Sequence, residues 1–462
     1  MISSPRYALS RLSLTLYGGV NEIGGNKILL EDKDARIFFD FGAGFSDGLE
    51  YFSAGVEPRR VNGLGDYFEF GLMPRIRGLY AEDMLDPTDL KYSKPEIDAI
   101  VLSHYHSDHQ GRINFVDSQI PIYCGETTAL FHEAYSSSGG SPLDEHKIMT
   151  FRTGDKKKIG SLEIRPIHVD HSIPGAYGFI IETSEGAVVY TGDLRFHGTK
   201  GGMTEDFLEE AIEAKPICLL TEGTRVGTID VKQNLSEPEV FRRTEDLLKR
   251  IDKKLVFSTF RGNDIDRINT FHAACMKTDR KLLISMKTAA ILHYLANDKN
   301  LKVPKLGSDV QVYLRKKSSG TYDDKDYYKW ERDYLGYGVT CDEIRNHQGS
   351  FLLHLDMWNL PELVDLKPDK GGAYIHSASE AFNEEGEQEE AVIRNWVDHF
   401  GFSYDQIHAS GHAPGEDIIE TAKKINAKTT IPLHTEHPEL FIALTRMSGI
   451  TLPVKQKKIQ LN

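Results

Sequence analysis

Cysteine is scarce in this 462-residue sequence: Cys124, Cys218, Cys275 and Cys341 lie far apart and form no Cys-x-x-Cys pair. They read as buried free thiols of a reducing compartment, not as a disulfide framework. Long apolar runs are missing too. No stretch reaches the roughly 18 apolar residues of a membrane helix, and Met1-Ile2-Ser3-Ser4-Pro5-Arg6-Tyr7 has no apolar leader region, so a soluble cytoplasmic protein with no membrane partner is expected. Positive charge is in deficit, with Lys+Arg 55 against Asp+Glu 69 and a formal charge of -14. Such a chain does not coat nucleic acid through bulk charge, so any nucleic-acid contact has to come from a local basic cleft and from metal ions. Length and apolar content are ample. A hydrophobic share of 40% over 462 residues supports two or three domains with sizeable cores.

The densest chemistry is Ser103-His104-Tyr105-His106-Ser107-Asp108-His109. Ile97-Asp98-Ala99-Ile100-Val101-Leu102 before it reads as a buried strand, which puts the cluster on the loop leaving a strand end. In an extended or tightly turned loop alternate side chains share a direction, so His104 and His106 can bind one ion while Asp108 and His109 turn towards a second. Other acids and histidines also stand at strand ends. Asp40 closes Arg36-Ile37-Phe38-Phe39-Asp40, and Asp193 closes Ala187-Val188-Val189-Tyr190-Thr191-Gly192-Asp193. Glu222 closes Pro216-Ile217-Cys218-Leu219-Leu220-Thr221-Glu222, and His434 follows Thr430-Ile431-Pro432-Leu433. His168 and His171 compete at the end of Ile164 to His168, His171 being the one at the strand-to-loop transition. The glycine-rich Gly18 to Asn26 segment precedes no helical pattern, so it reads as a hairpin near the site and not as a phosphate-binding loop. Residues 43 to 93 form an irregular stretch longer than a routine connection, in which Arg75 and Arg77 are read as solvated surface residues.

From about residue 223 to 370 strands and helices alternate, which predicts an inserted parallel sheet. Ser236-Glu237-Pro238-Glu239 is a capping box opening a helix. Tyr374-Ile375-His376-Ser377-Ala378-Ser379 ends a further strand, and the acidic run from Glu384 to Glu390 opens a helix through Trp396.

The His-x-His-x-Asp-His pattern after a strand resembles the metallo-β-lactamase superfamily, and the later motifs resemble its β-CASP branch, the nucleic-acid-processing nucleases, with ribonuclease J nearest. The resemblance spans about residues 10 to 450 and seven ordered motif positions. It implies an α/β fold, an αββα metallo-β-lactamase sandwich of residues 1–222 and 381–462 around a β-CASP insert at 223–380. It implies two Zn2+ ions, with Mn2+ as the alternative: His104, His106 and His171 hold one, Asp108, His109 and His434 the other, and Asp193 bridges. Two ions about 3.5–4 Å apart suit phosphodiester hydrolysis. Asp40 would orient the metal loop without binding metal. Asp108, Asp193, Glu222 and His412 are the implied catalytic residues, His412 acting on the scissile phosphate or departing oxygen and Glu222 holding its ring. His376, Ser377 and Ser379 are implied phosphate contacts. His168, His197, His408 and His437 are left outside the metal shell.

The activity so implied is hydrolysis of single-stranded RNA, as a 5′-to-3′ exonuclease with endonuclease ability, in processing or decay. A His at position 434 accompanies RNA-processing members, which disfavours a DNA nuclease, the alternative within the branch. A small-molecule hydrolase of thioesterase or lactonase type shares the first motifs but has no need of the insert, Glu222, His412 or His434. Ribonuclease J proteins usually carry a further C-terminal domain that helps them oligomerise, whereas this sequence ends at Asn462; a homodimer is therefore kept only as an open option.

Overall fold

The computed structural model describes residues 10–52, 55–227, 234–379 and 384–461. Within these the chain forms three sheets. The first begins as an antiparallel meander of Ser10–Gly18, Lys27–Lys33 and Ala35–Phe41. It continues in parallel through Ala99–Val101, Ile122–Gly125 and Ile148–Phe151, and Lys458–Gln460 closes its outer edge. The second pairs Lys157–Ile159, Leu162–Val169, Ala176–Glu182 and Ala187–Tyr190 in antiparallel order, then adds Cys218–Glu222 and Thr429–Leu433 in parallel.

These two sheets lie face to face. Leu14, Ile28, Ile37 and Phe39 of the first meet Phe179, Val188, Leu220 and Ile431 of the second in one dry cluster, with the Phe39 and Phe179 rings 5.4 Å apart. Both outer faces carry helices. Phe207 and Ala211 of the helix Gly201–Glu213 and Ile418 and Ala422 of Gly415–Ile425 cover the second sheet. Phe131 and Ala134 of Glu126–Ser138 belong to the core on the outer face of the first. Each strand is therefore apolar on the inner face and helix-covered on the outer, the αββα sandwich that two layers of amphipathic elements produce. The irregular stretch from 43 to 93 is packed onto this scaffold: Leu64, Phe68, Leu79, Tyr80 and Leu85 are buried in the same core as the outer helix, so most of it is fixed wall. Arg75 pairs with Asp89 and Arg77 with Glu96, away from any cluster of ligands.

The third sheet is wholly parallel, in the order Gly338–Thr340, Val310–Leu314, Lys281–Ile284, Phe351–His354, Val256–Thr259, Ala373–His376, Ser403–Gln406. Its last strand corrects the expected organisation. The boundary placed at 380/381 lies outside the described residues, but the helix Glu384–Phe400 buries Ile393 and Val397 against this sheet, and Ser403–Gln406 pairs with Ala373–His376. Strand, helix and parallel strand form one crossover unit. The acidic run hides its continuity in the sequence, and the return to the sandwich comes after residue 406. The capping box at Ser236 and Glu239 is formed, opening the helix Glu237–Arg250. Among the described residues no helix is long and apolar enough to cross a membrane.

Candidate metal centre

After Ala99–Val101 the chain bends at Ser103 and Tyr105, is extended at His106 (φ −71°, ψ 149°), and from that N-cap tightens into one helical turn, Ser107–Gln110. The change of geometry divides the ligands. His104 and His106 share a side with His171, while Asp108 and His109 rotate to meet Asp193 and His434. Gly42 permits the packing that holds this turn: a Cβ there would lie 1.6 Å from the Asp108 carbonyl oxygen. The hairpin from Gly18 to Asn26 braces the same region, since Asn26 N donates to Asp108 O at 3.1 Å and His434 N to Gly19 O at 2.8 Å.

Hydrogen bonds on the far ring nitrogens set each histidine. Asp40, in the left-handed region at φ 56° and fully buried, accepts from Ser103 N at 2.7 Å, Ser103 Oγ at 2.9 Å, Tyr190 OH at 2.7 Å and His109 Nδ1 at 2.8 Å. Ser103 Oγ, its proton given to Asp40, accepts from His104 Nδ1 at 3.0 Å. Gly411 O accepts from His171 Nδ1. Thr224 Oγ1 donates to Glu222 Oε2 at 2.7 Å and accepts from His434 Nδ1 at 2.8 Å. Each pairing directs a bare Nε2 inward.

Two convergences of lone pairs result. His106 Nδ1 lies 3.0 Å from His104 Nε2 and 3.1 Å from His171 Nε2. His109 Nε2 lies 3.0 Å from Asp193 Oδ2, and His434 Nε2 lies 3.0 Å from Asp108 Oδ2. Asp193 Oδ2 is also within 3.8 Å of His104 and 3.9 Å of His171, so one carboxylate faces both groups, while its Oδ1 is buried without a hydrogen-bond partner among the described residues. Acceptor atoms held this close require a cation between them, either protons or metal ions. The residues therefore fit two divalent cations: an all-imidazole set of three, and a mixed set of Asp108, His109 and His434, with Asp193 shared. Nitrogen and oxygen donors without sulfur suit zinc or manganese.

The two sets differ electrostatically. Burial first, and then neighbouring imidazoles, hold His104 and His171 well below the ordinary histidine range; burial and Arg261 bring His106 down to about 3. In the mixed set burial pulls the same way, but the carboxylates outweigh it. Asp193, Asp108 and Asp40 raise His109 well above its ordinary value, and Asp193 and Asp108 raise His434 to about 9.

His412 hangs over both sets. Its ring centroid is 5.0 Å from that of His171 and 5.5 Å from that of His434, its side chain remains partly open to solvent, and its Nδ1 meets Glu222 Oε2 at 2.8 Å. Glu222 is buried and also accepts from Leu194 N at 2.7 Å. The expected phosphate contacts are less open. Ser377 is buried, donating to Ile407 O at 2.6 Å and accepting from Arg267, and His376 Nδ1 meets Tyr374 OH at 2.9 Å; Ser379 alone of the three is exposed. His168 turns to Thr153, His197 to the Ser410 carbonyl, His408 to Arg267, and His437 to Glu439. Sequence reasoning missed Ser103, Tyr190, Thr224 and Gly411. Ser103 borders the cluster and Thr224 stands two residues after Glu222, a signal in principle; Tyr190 and Gly411 carry none.

Residues 72–231 match the family model described as Beta-lactamase superfamily domain, and a sandwich with paired His/Asp clusters at its strand ends is in keeping with that similarity. Along most of its length the chain is similar to ribonuclease J proteins. It is 24% identical to Ribonuclease J of Helicobacter pylori strain J99 over 479 aligned residues, 97% of this chain and 59% of that protein. It is 20% identical to Ribonuclease J 2 of Streptococcus pyogenes over 440 residues, 94% of this chain and 71% of that protein. A crystal structure of a protein of unknown function from Enterococcus faecalis V583 superposes with a TM-score of 0.75 at 20% identity, covering 97% of this chain and all of that one. The chain spans only about three-fifths of the length of the Helicobacter relative.

Proposed function

We propose that this protein is a metal-dependent ribonuclease that hydrolyses phosphodiester bonds of single-stranded RNA, acting as a 5′-to-3′ exonuclease with endonuclease ability in RNA processing or decay. The observation that carries the reading is the shared carboxylate: Asp193 Oδ2 faces both ligand sets, with His412 and Glu222 directly above. The similarity to ribonuclease J proteins favours RNA as the substrate.

Under this reading His104, His106 and His171 would hold one zinc and Asp108, His109 and His434 the other, with Asp193 shared between the two sets and manganese as the alternative ion. Bound there, the pair supplies charge for the phosphate oxygens and lowers the pKa of the attacking water. The remaining work belongs to side chains. Glu222 accepts from His412 Nδ1 and fixes its ring, which leaves Nε2 to donate to the scissile phosphate or the departing oxygen. Thr224 joins Glu222 to His434, so the acid's support and one ligand move together. Asp40 fixes His109 and the loop carrying the other ligands. Ser379, exposed where His376 and Ser377 are buried, remains the candidate of the three for a 5′-phosphate contact.

The test is cleavage of a 5′-monophosphorylated, 3′-labelled RNA beside its 5′-triphosphorylated twin and a DNA copy, with metal content determined on the same sample. Mononucleotides released from the monophosphorylated RNA alone are expected. Internal cuts whatever the 5′ end would make the protein an endonuclease. No cleavage with two ions bound would return the small-molecule hydrolase to the front.

A further inference from the structure

The chain is acidic overall, yet one of its cavities is basic. It encloses about 630 Å³ at the carboxyl ends of four strands of the parallel sheet, where the loops after Val256–Thr259, Lys281–Ile284, Val310–Leu314 and Phe351–His354 converge. Crevices of this kind are where open parallel sheets bind ligands. Arg261, Lys287, Arg315 and Lys317 line it, against only Glu331 and Asp356 of opposite sign. Glu331 is already committed to Lys317 and to Tyr328 N.

Aromatic faces alternate with these cations: Phe260, Tyr313, Tyr327 and Trp330 from the sheet side, and Tyr135 from the sandwich. Lys287 Nζ sits 4.9 Å above the Tyr135 ring. The wall also holds an unfinished polar group. His354 is buried, its Nε2 donates to Phe260 O at 2.9 Å, and its Nδ1 therefore presents a lone pair that has no hydrogen-bond partner among the described residues. Such a lone pair costs free energy unless a water or a ligand N–H or O–H answers it. The cavity is also close to the ligand loop, for the Tyr135 ring is 5.3 Å from that of Tyr105, the residue between His104 and His106.

We propose that this cavity is a nucleotide subsite that takes one phosphate and one stacked base of a single-stranded RNA lying across the metal centre, with His354 Nδ1 accepting from the ribose hydroxyl or an exocyclic amino group. The proposal rests on the nuclease reading and adds to it a second grip on the strand. Cations answer the phosphate, flat aromatic faces answer a base of any sequence, and the acceptor on His354 answers a donor that an inorganic anion lacks.

The experiment is equilibrium binding of a fluorescent, nuclease-resistant phosphorothioate RNA of about 10 nucleotides, with a dinucleotide as reference, to the intact protein, to Trp330→Ala and to Lys287→Gln. Lys287 is exposed, so the second variant reports even if the first folds poorly. Each substitution is expected to weaken the longer RNA roughly 5- to 100-fold relative to the dinucleotide. Lys287→Gln should in addition flatten the slope of log affinity against log salt by about 0.7, the share of one single-strand phosphate contact. Equal affinity of native and variant proteins for the longer RNA, or an unaltered salt slope, would overturn the subsite. RNA cleavage with unaltered binding by the variants leaves the nuclease standing without this subsite. Variant-sensitive binding by a protein that cleaves no RNA supports the subsite and removes the nuclease.

Discussion

Two buried polar clusters flank the loop from His408 to His412, and they are built on opposite rules. Around Asp193 the groups are unfinished: imidazole lone pairs face one another or face carboxylates, and Asp193 Oδ1 has no hydrogen-bond partner among the described residues. Around Arg195 and Arg267 the guanidinium and carboxylate groups complete one another. Arg195 reaches Asp170 at 3.1 Å, Asp266 at 2.8 Å and Ser410 O at 3.2 Å; Arg267 reaches Glu237 at 2.7 Å and Ala409 O at 3.2 Å. Both guanidinium groups are fully buried. The loop touches both clusters, because Gly411 next to Ser410 receives His171 Nδ1 and His412 stands beyond it. A cluster that closes on itself fixes the position of chain; a cluster that needs a cation to close does chemistry.

The largest effect should come from the unfinished side. Asp193→Asn removes the carboxylate common to both ligand sets, and RNA hydrolysis should fall by about 10³-fold or more, with metal stoichiometry dropping below two in the same preparation. Thermal melts of chelated native and variant proteins should show only a small change, because among the described residues the one hydrogen-bond partner of Asp193 is His109 and its other imidazole neighbours lie 3.8–3.9 Å away. A variant that unfolds while metal-free would show that Asp193 is a structural acid after all.

The closed side should respond in the reverse way. Arg267→Met leaves Glu237 buried with its main partner gone, and breaking such a pair costs about 3–5 kcal/mol. Urea unfolding should show that loss with and without metal, and the fraction that remains folded should still bind two ions. Retention of full stability would erase the contrast between the clusters.

Between the two lies Thr224, whose hydroxyl joins Glu222 to His434. Thr224→Val keeps the shape and removes the bridge. Affinity for the second ion should fall roughly 10- to 100-fold, as for other groups that orient a metal ligand, and Thr224→Ser should restore it. Competitive chelation with a metal indicator reads this directly, and equal affinity in the Val variant would show that His434 is held by its backbone alone.

How legible each cluster was follows from the same contrast. His104, His106, Asp108 and His109 are crowded into one loop, and the change from extended chain to helical turn that divides them is a local property, readable from spacing. His171, Asp193 and His434 stand at strand ends, where only their order along the chain singles them out. The braces were invisible, because Gly411 serves His171 across 240 positions and Thr224 serves His434 across 210, and no local pattern encodes a contact made by sheet packing. Arg267 and Glu237 read as ordinary helix residues. The opening meander and the inserted parallel sheet were legible from apolar runs and the sandwich only through the family resemblance, but the last strand of the insert was not legible, since Ser403–Gln406 is polar and exposed at one end and gains its place only by pairing with Ala373–His376.

The smallest effect tests whether the closed cluster is closed at every pH. Two arginines there face Asp170, Glu237, Asp264 and Asp266, an excess of acid. Burial, with Glu237 adding to it, pushes Asp264 up to about 7 although Arg267 and Arg195 oppose, and burial raises Asp170 as well. A folded-state pKa above the unfolded value of about 3.9 means that the stability this carboxyl contributes is fully present below about pH 4 and is lost as pH rises through about 7. Asp264 also caps the helix Ile265–Met276 by accepting from Arg267 N at 3.0 Å, which an asparagine can still do. Between pH about 4 and 8, Asp264→Asn should therefore gain roughly 1–3 kcal/mol on the native protein in urea unfolding, the difference growing with pH. A difference that stays constant across that range would mean that Asp264 is ionised throughout, and that the arginine cluster balances all four acids without holding a proton.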